Sequence, residues 1–250
     1  MSPAMTPPSE RPGHPSEASQ QGEFEAARRW VEEFPPEAER NPIYDRLFAP
    51  ASLSWLRLRV LDVGAGPISI FENVAPASAD VVAYDTLADR YNTLTPNKKF
   101  PIVSALPDRQ FTLISILNCL DHMDEPSELL DHVAPRLASD GAAWIYCNVD
   151  QPFDPTLHPQ DFRFWQLVLL VGRYFDIERC GLVREGPLFP YGWWAICGAR
   201  RRKPLARALA GIRFTLRCAA QYGWFGAVRA AVKALKLIGG RRLLPPELRF

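Results

Sequence analysis

The stretch VLDVGAGPIS, residues 60–69, places an acid and two glycines directly after an apolar run, the order expected for a strand and a nucleotide-binding loop. Gly64 and Gly66 let the backbone turn sharply and approach a ligand with no Cβ in the way. A nicotinamide-type G-x-G-x-x-G fingerprint needs a third glycine at position 69, where this chain has Ser69. Asp62 would repel a pyrophosphate and attract an ammonium or sulfonium group. The loop therefore favours a cationic cofactor over a dinucleotide.

Outward from this loop, strand-like segments alternate with helical ones. The segments are apolar nearly throughout, which indicates a parallel sheet covered by helices on both faces. The last of the helices has Ser127 in its first turn and Gly141 just after its end. The predicted strands are residues 56–63, 80–85, 100–103, 111–117 and 142–149, and the predicted helices are 69–74, 88–94 and 126–137.

The later part of the chain departs from this alternation. After a predicted helix at 160–172 come two strand-like segments, 174–183 and 191–200, with about seven residues between them. So short a connection cannot make a parallel crossover, so the two segments should pair antiparallel. We predict an α/β fold: a Rossmann-like doubly wound sheet, mostly parallel with a late antiparallel hairpin, followed by a basic helical C-terminal extension.

Three regions are expected along the chain. Residues 1–21 contain five prolines among Ser, Glu and Gln, and such a segment is predicted to be disordered. Residues 22–203 form the main domain, which opens with a helix at 23–34 and a short helix at 43–48 before the first strand. Residues 204–250 form the basic helical extension.

The composition is that of an ordinary globular protein, with 47% apolar and 23% charged residues. No apolar run is long enough for a membrane-spanning helix, and we see no basic-then-apolar secretory signal at the N-terminus. Five scattered cysteines without a C-x-x-C pair indicate reduced core thiols in a cytosolic protein. We expect a cytoplasmic location, with peripheral attachment at the inner membrane as the alternative that the basic extension suggests.

VLDVGAGP, followed by VVAYD at residues 81–85, resembles motifs I and II of the class I S-adenosylmethionine-dependent methyltransferases, with a methyltransferase type 11-like domain over residues 56–200. The resemblance implies S-adenosylmethionine as the cofactor. It makes Asp62 the motif I acid, and it makes Asp85 the ligand of both ribose hydroxyls, since a carboxylate can accept two hydrogen bonds. A turn cap at the end of the strand is the alternative role for Asp85. The implied loop around the methionine part consists of Gly64, Ala65 and Gly66.

Two positions depart from the family pattern. Ile68, after Pro67, stands where the family often has a third glycine. Ser104 and Ala105 stand where the third strand often ends in an acid that reaches the adenine amino group, so a serine hydroxyl or a backbone carbonyl would have to serve the adenine. These departures weaken the expected affinity more than they change the class.

The segment NCLDHMDEP, residues 118–126, resembles the family segment after strand four, which lines the methyl-transfer site. The resemblance implies that Asn118 contacts the cofactor. Asp121 is then a candidate for orienting the acceptor and His122 for the general base, because histidine titrates near neutral pH. The alternative for His122 is that it caps or packs the next helix.

The Pro- and Asp-rich loop at residues 148–162 follows the fifth predicted strand, at the edge of the sheet where α/β proteins bind ligands. Asp150, Asp154 and His158 are therefore candidate substrate contacts, and His158 is a second candidate base. Each is also a common type of turn residue. The histidine spacings suggest no metal site, and no G-x-S-x-G elbow suggests a hydrolase.

Charge is distributed unevenly along the chain. Residues 1–199 carry 16 basic and 27 acidic side chains, whereas residues 200–250 carry 13 basic side chains and one acid. The extension has apolar residues at helical spacing beside basic ones, with Trp224 and Phe225 between its two helical stretches. Basic amphipathic helices with aromatic anchors suit an anionic membrane surface or a groove on a partner protein. We assign that role to residues 204–242; packing on the acidic main domain is the alternative, and nucleic acid is a third choice.

The function favoured by these patterns is S-adenosylmethionine-dependent methylation of a small molecule, such as a sugar or a specialised metabolite. The alternative from another class is a non-catalytic methyltransferase-fold scaffold or membrane-docking subunit. A nicotinamide-dependent oxidoreductase ranks third because of Asp62 and Ser69.

Overall fold

A single seven-stranded sheet organises the computed structural model, which describes residues 17–33, 54–149, 160–185, 189–200, 216–221, 223 and 227. Its spatial order is β3-β2-β1-β4-β5-β7-β6. The five strands β1 to β5 pair in parallel, and β7 pairs antiparallel with both β5 and β6. The predicted fold class is confirmed, including the late hairpin. The strands are β1 (Arg59–Val63), β2 (Asp80–Tyr84), β3 (Ile102–Val103), β4 (Phe111–Leu117), β5 (Leu137–Asn148), β6 (Phe175–Glu185) and β7 (Phe189–Ala199).

Four helices are described outside the C-terminal extension: α1 (Glu17–Glu33), α2 (Ala88–Leu94), α3 (Pro126–Val133) and α4 (Phe164–Tyr174). Helix α1 begins six residues before its predicted start at 23, so residues 17–21 are helical although we predicted them as part of a disordered segment. The predicted short helix at 43–48 lies outside the described residues.

Alternation along the strands divides the core between the two faces of the sheet. Leu61 and Val63 of β1 face the larger cluster, which also contains buried residues of α3 and α4. Val60 faces the opposite cluster, together with Phe71 and Trp144. The strands are apolar on both sides because both faces are covered.

The predicted helix at 69–74 is wrong, since this segment forms a series of turns. Glu72 N donates to Ser69 O at 3.0 Å, and Ala75 N donates to Phe71 O at 2.9 Å. The Ser69 hydroxyl accepts a hydrogen bond from Phe71 N at 3.1 Å, which offers the backbone a local partner other than the helical one. So short a segment gains little from helical propagation.

The predicted helix at 126–137 ends earlier, at Val133, and a 3₁₀ turn, Ala134–Arg136, follows it. Pro135 lacks the N–H that would continue the helix. Strand β5 then begins at Leu137 and runs through Gly141, the residue that we had placed just after a helix end. A Cβ at position 141 would lie 2.9 Å from Thr112 O, so the close approach of β5 to β4 suits glycine.

One part of the C-terminal extension packs on the main domain. Residues 216–221 are helical, and Cys218 is buried with its Sγ 3.7 Å from Sγ of Cys180 on β6. Ala219 packs against the same core cluster. For these residues the structure has the packed arrangement that we gave as the alternative. Among the described residues, no helix is both long and apolar enough to traverse a bilayer.

Candidate functional site

The glycine loop after β1 is hydrogen-bonded to the end of β2. Gly64 N and Ala65 N both donate to Tyr84 O, at 2.9 and 3.1 Å. Gly64 and Gly66 have φ angles of +66° and +60°, in the left-handed region that favours glycine. A Cβ on Gly64 would lie 2.3 Å from Cβ of Cys119, whereas one on Gly66 would meet nothing within 4 Å. The loop thus passes close to the segment after β4 and leaves open space at Gly66.

Asp62, on β1 before the loop, accepts hydrogen bonds from the segment that follows the loop. Its Oδ2 accepts hydrogen bonds from Ser69 Oγ at 2.7 Å and Ile70 N at 3.1 Å, and its Oδ1 accepts one from Ser115 Oγ at 2.6 Å. Asp62 is 2% exposed and Ser69 is 1% exposed. The serine that stands in place of a third nicotinamide-type glycine is therefore a partner of the motif acid.

The far side of the loop is held through the Pro67 carbonyl. Thr95 Oγ donates to Pro67 O at 2.7 Å, and Lys98 Nζ donates to the same oxygen at 3.3 Å. Burial lowers the pKa of Lys98. Side chains from the turn after α2 thus fix a loop that lacks the third glycine at Ile68.

Asp85 follows β2 and closes the loop from the other side. Its Oδ2 accepts a hydrogen bond from Gly66 N at 3.0 Å, and its Oδ1 accepts one from Leu87 N at 2.9 Å. Burial raises the pKa of Asp85 to about 6, although the N–H groups of Leu87 and Gly66 oppose that rise. The carboxyl is therefore mostly ionised at pH 7. It caps the turn before α2 and also faces a pocket.

This pocket lies at the carboxyl ends of β1, β2 and β4. Charged and polar groups lie on it beside apolar side chains, a mixture that suits a ligand with both kinds of surface. The lining residues are Glu23, Val63, Gly64, Tyr84, Asp85, Thr86, Cys119, His122, Met123 and Leu129.

Glu23 on α1 is a pocket residue that the sequence analysis did not single out. Burial raises the pKa of Glu23 to about 8, and the negative charges of Asp85 and Asp121 add to the rise. No motif surrounds Glu23, so no local signal connects it with a loop about 40 residues further along the chain. By contrast, Tyr84 and Thr86 flank the predicted Asp85, and Cys119 and Met123 belong to the predicted segment after β4.

The three predicted residues of the segment after β4 lie at different positions relative to the pocket. Asn118 has a φ of +54°, and Asn148 Nδ2 donates to its Oδ1 at 2.6 Å. His122 lines the pocket. Asp121 is 1% exposed and lies beside β5, where Cys147 Sγ donates to its Oδ1 at 3.6 Å. Nε2 of His122 lies 3.9 Å from Oδ2 of Asp121.

Several predicted site residues lie apart from this pocket or outside the described residues. Ser104 and Ala105 follow β3 at the same edge of the sheet and are exposed, outside the pocket lining. Asp150, Asp154 and His158 lie outside the described residues. The roles assigned to all these residues, and the catalytic roles of Asp121 and His122, stay predictions. Within the described ranges, no cluster of three or more His, Cys, Asp or Glu side chains could hold a metal ion.

Comparison with known families and structures matches this architecture. A family model described as a methyltransferase domain matches residues 19–178, more than half of the chain. No curated protein sequence matches significantly.

Three solved structures illustrate the structural likeness. A TehB-like S-adenosylmethionine-dependent methyltransferase from Corynebacterium glutamicum is 16% identical with a TM-score of 0.53, and the match covers 72% of this chain and 100% of that chain. The N-methyltransferase NodS from Bradyrhizobium japonicum, in complex with S-adenosylhomocysteine, is 12% identical with a TM-score of 0.54 and the same two coverages, 72% and 100%. The 1,6-didemethyltoxoflavin-N1-methyltransferase of Burkholderia thailandensis, with 1,6-didemethyltoxoflavin and S-adenosylhomocysteine bound, is 18% identical with a TM-score of 0.55, over 80% of this chain and 94% of that chain. At these identities the likeness is one of fold.

Proposed function

Since this chain belongs to the class I S-adenosylmethionine-dependent methyltransferase family, we propose that it methylates a small-molecule acceptor, such as a sugar or a specialised metabolite. The observation that carries the proposal is the convergence of the Gly64–Gly66 loop and Asp85 on one pocket. The small-molecule class is supported by NodS and by the toxoflavin enzyme, whose structures hold S-adenosylhomocysteine and, in the second, a small-molecule substrate.

The residues present fit S-adenosylmethionine. Each oxygen of Asp85 accepts one backbone hydrogen bond and keeps capacity for another, which suits two ribose hydroxyls. The open space at Gly66 allows a ligand to approach the backbone. Val63, Met123 and Leu129 give the pocket an apolar side for the uncharged parts of the cofactor.

The chemistry asked of the protein is limited. When bound, S-adenosylmethionine supplies an activated methyl group, so the protein mainly has to orient the acceptor and exclude water. A hydroxyl acceptor needs its proton removed, and His122 lies on the pocket where it could take that proton. A carboxylate acceptor needs no base.

Calorimetric titration tests the proposal. S-adenosylmethionine, S-adenosylhomocysteine and NADH are titrated into the wild type and into Asp85→Ala. We expect micromolar binding of the first two, and a loss of about tenfold or more in the variant, because the ribose hydroxyls lose a charged acceptor. Absence of binding by all three ligands would contradict the proposal and favour the non-catalytic scaffold. Binding of NADH alone would favour an oxidoreductase.

For the basic extension we propose contact with an anionic membrane surface, with the protein peripheral to the inner membrane. Its support is the sequence: 13 basic side chains against one acid in residues 200–250. Flotation with anionic liposomes compares the full chain with a variant that carries Arg229→Glu, Lys233→Glu and Lys236→Glu. Equal flotation of the two proteins would contradict this part of the proposal.

A further inference from the structure

Helix α1 supplies a wall of the pocket and is fixed in place by contacts with α2. The Phe24 ring stacks on Tyr91 with centroids 6.2 Å apart, and the Arg90 guanidinium lies 3.7 Å from the Phe24 centroid. Arg90 Nη2 also donates to Gln21 Oε1 at 2.8 Å. Since Phe24 is anchored, the neighbouring Glu23 is directed to the pocket that it lines with Asp85 and His122.

The titratable groups near Glu23 are two carboxyls, a phenol and a thiol, and His122 lines the same pocket. Asp85, from the end of β2, and Asp121, from the turn after β4, both raise its pKa. Glu23 in turn contributes to the raised pKa values of Tyr91 on α2 and of Cys119 beside the loop.

The positive charge of Arg90, on α2, is directed to partners outside the pocket. The Arg90 guanidinium is occupied by Phe24 and Gln21. Among the described residues that line the pocket there is no lysine or arginine, and within the described part of the chain Glu23 makes no hydrogen bond or ion pair. The described lining of the pocket therefore offers no lysine or arginine to compensate an ionised Glu23 beside Asp85.

We propose that Glu23 is a specificity-determining residue, whose carboxylate recognises the positive charge in the methionyl part of S-adenosylmethionine. This inference rests on the proposed function and adds a residue from outside the loop and strand motifs. A half-buried carboxylate beside other acids is costly in its ionised form unless a cation compensates it. Two groups of the cofactor carry such a charge, the sulfonium and the ammonium, and the choice of ligands distinguishes them.

The direction of proton movement follows from the raised pKa of about 8. At pH 7.5 most of Glu23 is protonated in the empty pocket, whereas a nearby cation favours the ionised form and lowers the pKa. Binding therefore releases a proton from Glu23. Asp85, with a pKa of about 6, is already ionised at this pH and contributes little to the release.

The experiment is calorimetry at pH 7.5 on the wild type, Glu23→Gln and Glu32→Gln. Glu32 lies on the same helix and is exposed, so Glu32→Gln is a matched control. The ligands are S-adenosylmethionine with both charges, S-adenosylhomocysteine with the ammonium alone, and 5′-methylthioadenosine with neither. We expect Glu23→Gln to weaken S-adenosylmethionine about tenfold and 5′-methylthioadenosine less than about twofold, while Glu32→Gln changes neither. Loss confined to S-adenosylmethionine assigns the sulfonium, and loss shared with S-adenosylhomocysteine assigns the ammonium.

Titration in two buffers of different ionisation enthalpy adds a readout that a merely structural role would not move. On binding S-adenosylmethionine, the wild type should release more protons than Glu23→Gln does. We expect the difference to be about half a proton or more per molecule bound. Equal weakening of all three ligands, or unchanged affinity and proton release, would overturn the inference and leave the proposed function standing. Failure of the wild type to bind S-adenosylmethionine and S-adenosylhomocysteine would overturn both.

Discussion

The Asp62 carboxylate accepts hydrogen bonds from two hydroxyls and a backbone N–H, so its negative charge is compensated inside the core. In Ser69→Ala that carboxylate, which is 2% exposed, loses one hydrogen-bond partner. We expect the free energy of unfolding to fall by about 1–3 kcal/mol, as for other buried hydrogen bonds to a charged group. Urea unfolding measures the loss, and Ser78→Ala, at an exposed serine nearby, should change it by less than about 0.5 kcal/mol. Equal effects of the two variants would contradict the role of Ser69.

Gly64 and Gly66 share a positive φ but differ in their surroundings. Gly66→Ala places its Cβ in open space, so we expect it to cost only the backbone strain of about 1–2 kcal/mol and to obstruct the approaching ligand. Gly64→Ala adds a clash with Cys119, which cannot move far from its buried position, and should cost at least about 2 kcal/mol more. Urea unfolding of both variants, with calorimetry of Gly66→Ala, checks the order. The reverse order of stability would show that the loop does not follow the described path.

At the scale of elements, α1 is held to α2 by the Phe24 ring and by the hydrogen bond from Arg90 to Gln21. Phe24→Ala removes the stack on Tyr91 and the ring beneath Arg90, and we expect a loss of about 2 kcal/mol. Hydrogen exchange in residues 17–33 should become faster, and affinity for S-adenosylmethionine should fall because the pocket loses the wall that carries Glu23. Trp30→Ala, at a 47% exposed position of the same helix, is the control and should leave exchange unchanged. Unchanged exchange in Phe24→Ala would mean that other contacts dock the helix.

The sequence predicted those elements whose own pattern decides their form. Helix α2 and strand β4 have the predicted bounds, because a complete apolar pattern lies within each. Residues 69–74 also have apolar spacing, but a side chain seven residues earlier, Asp62, decides their path. The antiparallel hairpin was predictable from the length of its connection alone.

The same distinction holds for the site. Gly64, Gly66 and Asp85 were predicted from the family resemblance of their two motifs. The structure brings them to one edge of the sheet because β1 and β2 are adjacent parallel strands. Strand alternation also predicts which face of the sheet Asp62 occupies, because it must lie opposite to Leu61 and Val63. Glu23 was not predictable, since the docking of α1 depends on a tertiary contact that no local period encodes.

At the scale of the whole molecule, the extension returns to the core through Cys218. This residue is 3% exposed beside Cys180, whereas Leu216 on the same helical segment is 62% exposed. Cys218→Asp would bury an uncompensated carboxyl, so we expect the free energy of unfolding to fall by about 1–3 kcal/mol, or the segment to detach at a similar cost. Leu216→Asp changes an exposed side chain and should alter stability by less than about 0.5 kcal/mol.

Urea unfolding of both variants, together with hydrogen exchange in residues 216–221, measures this packing. Faster exchange only in Cys218→Asp would mean that the extension is anchored on β6. The basic residues that follow Cys218 would then begin next to the acidic main domain. Equal stability and equal exchange in the two variants would contradict the packed arrangement. In that case the whole extension from residue 204 would be available to a membrane surface, and the charge-reversal variant should then abolish flotation entirely.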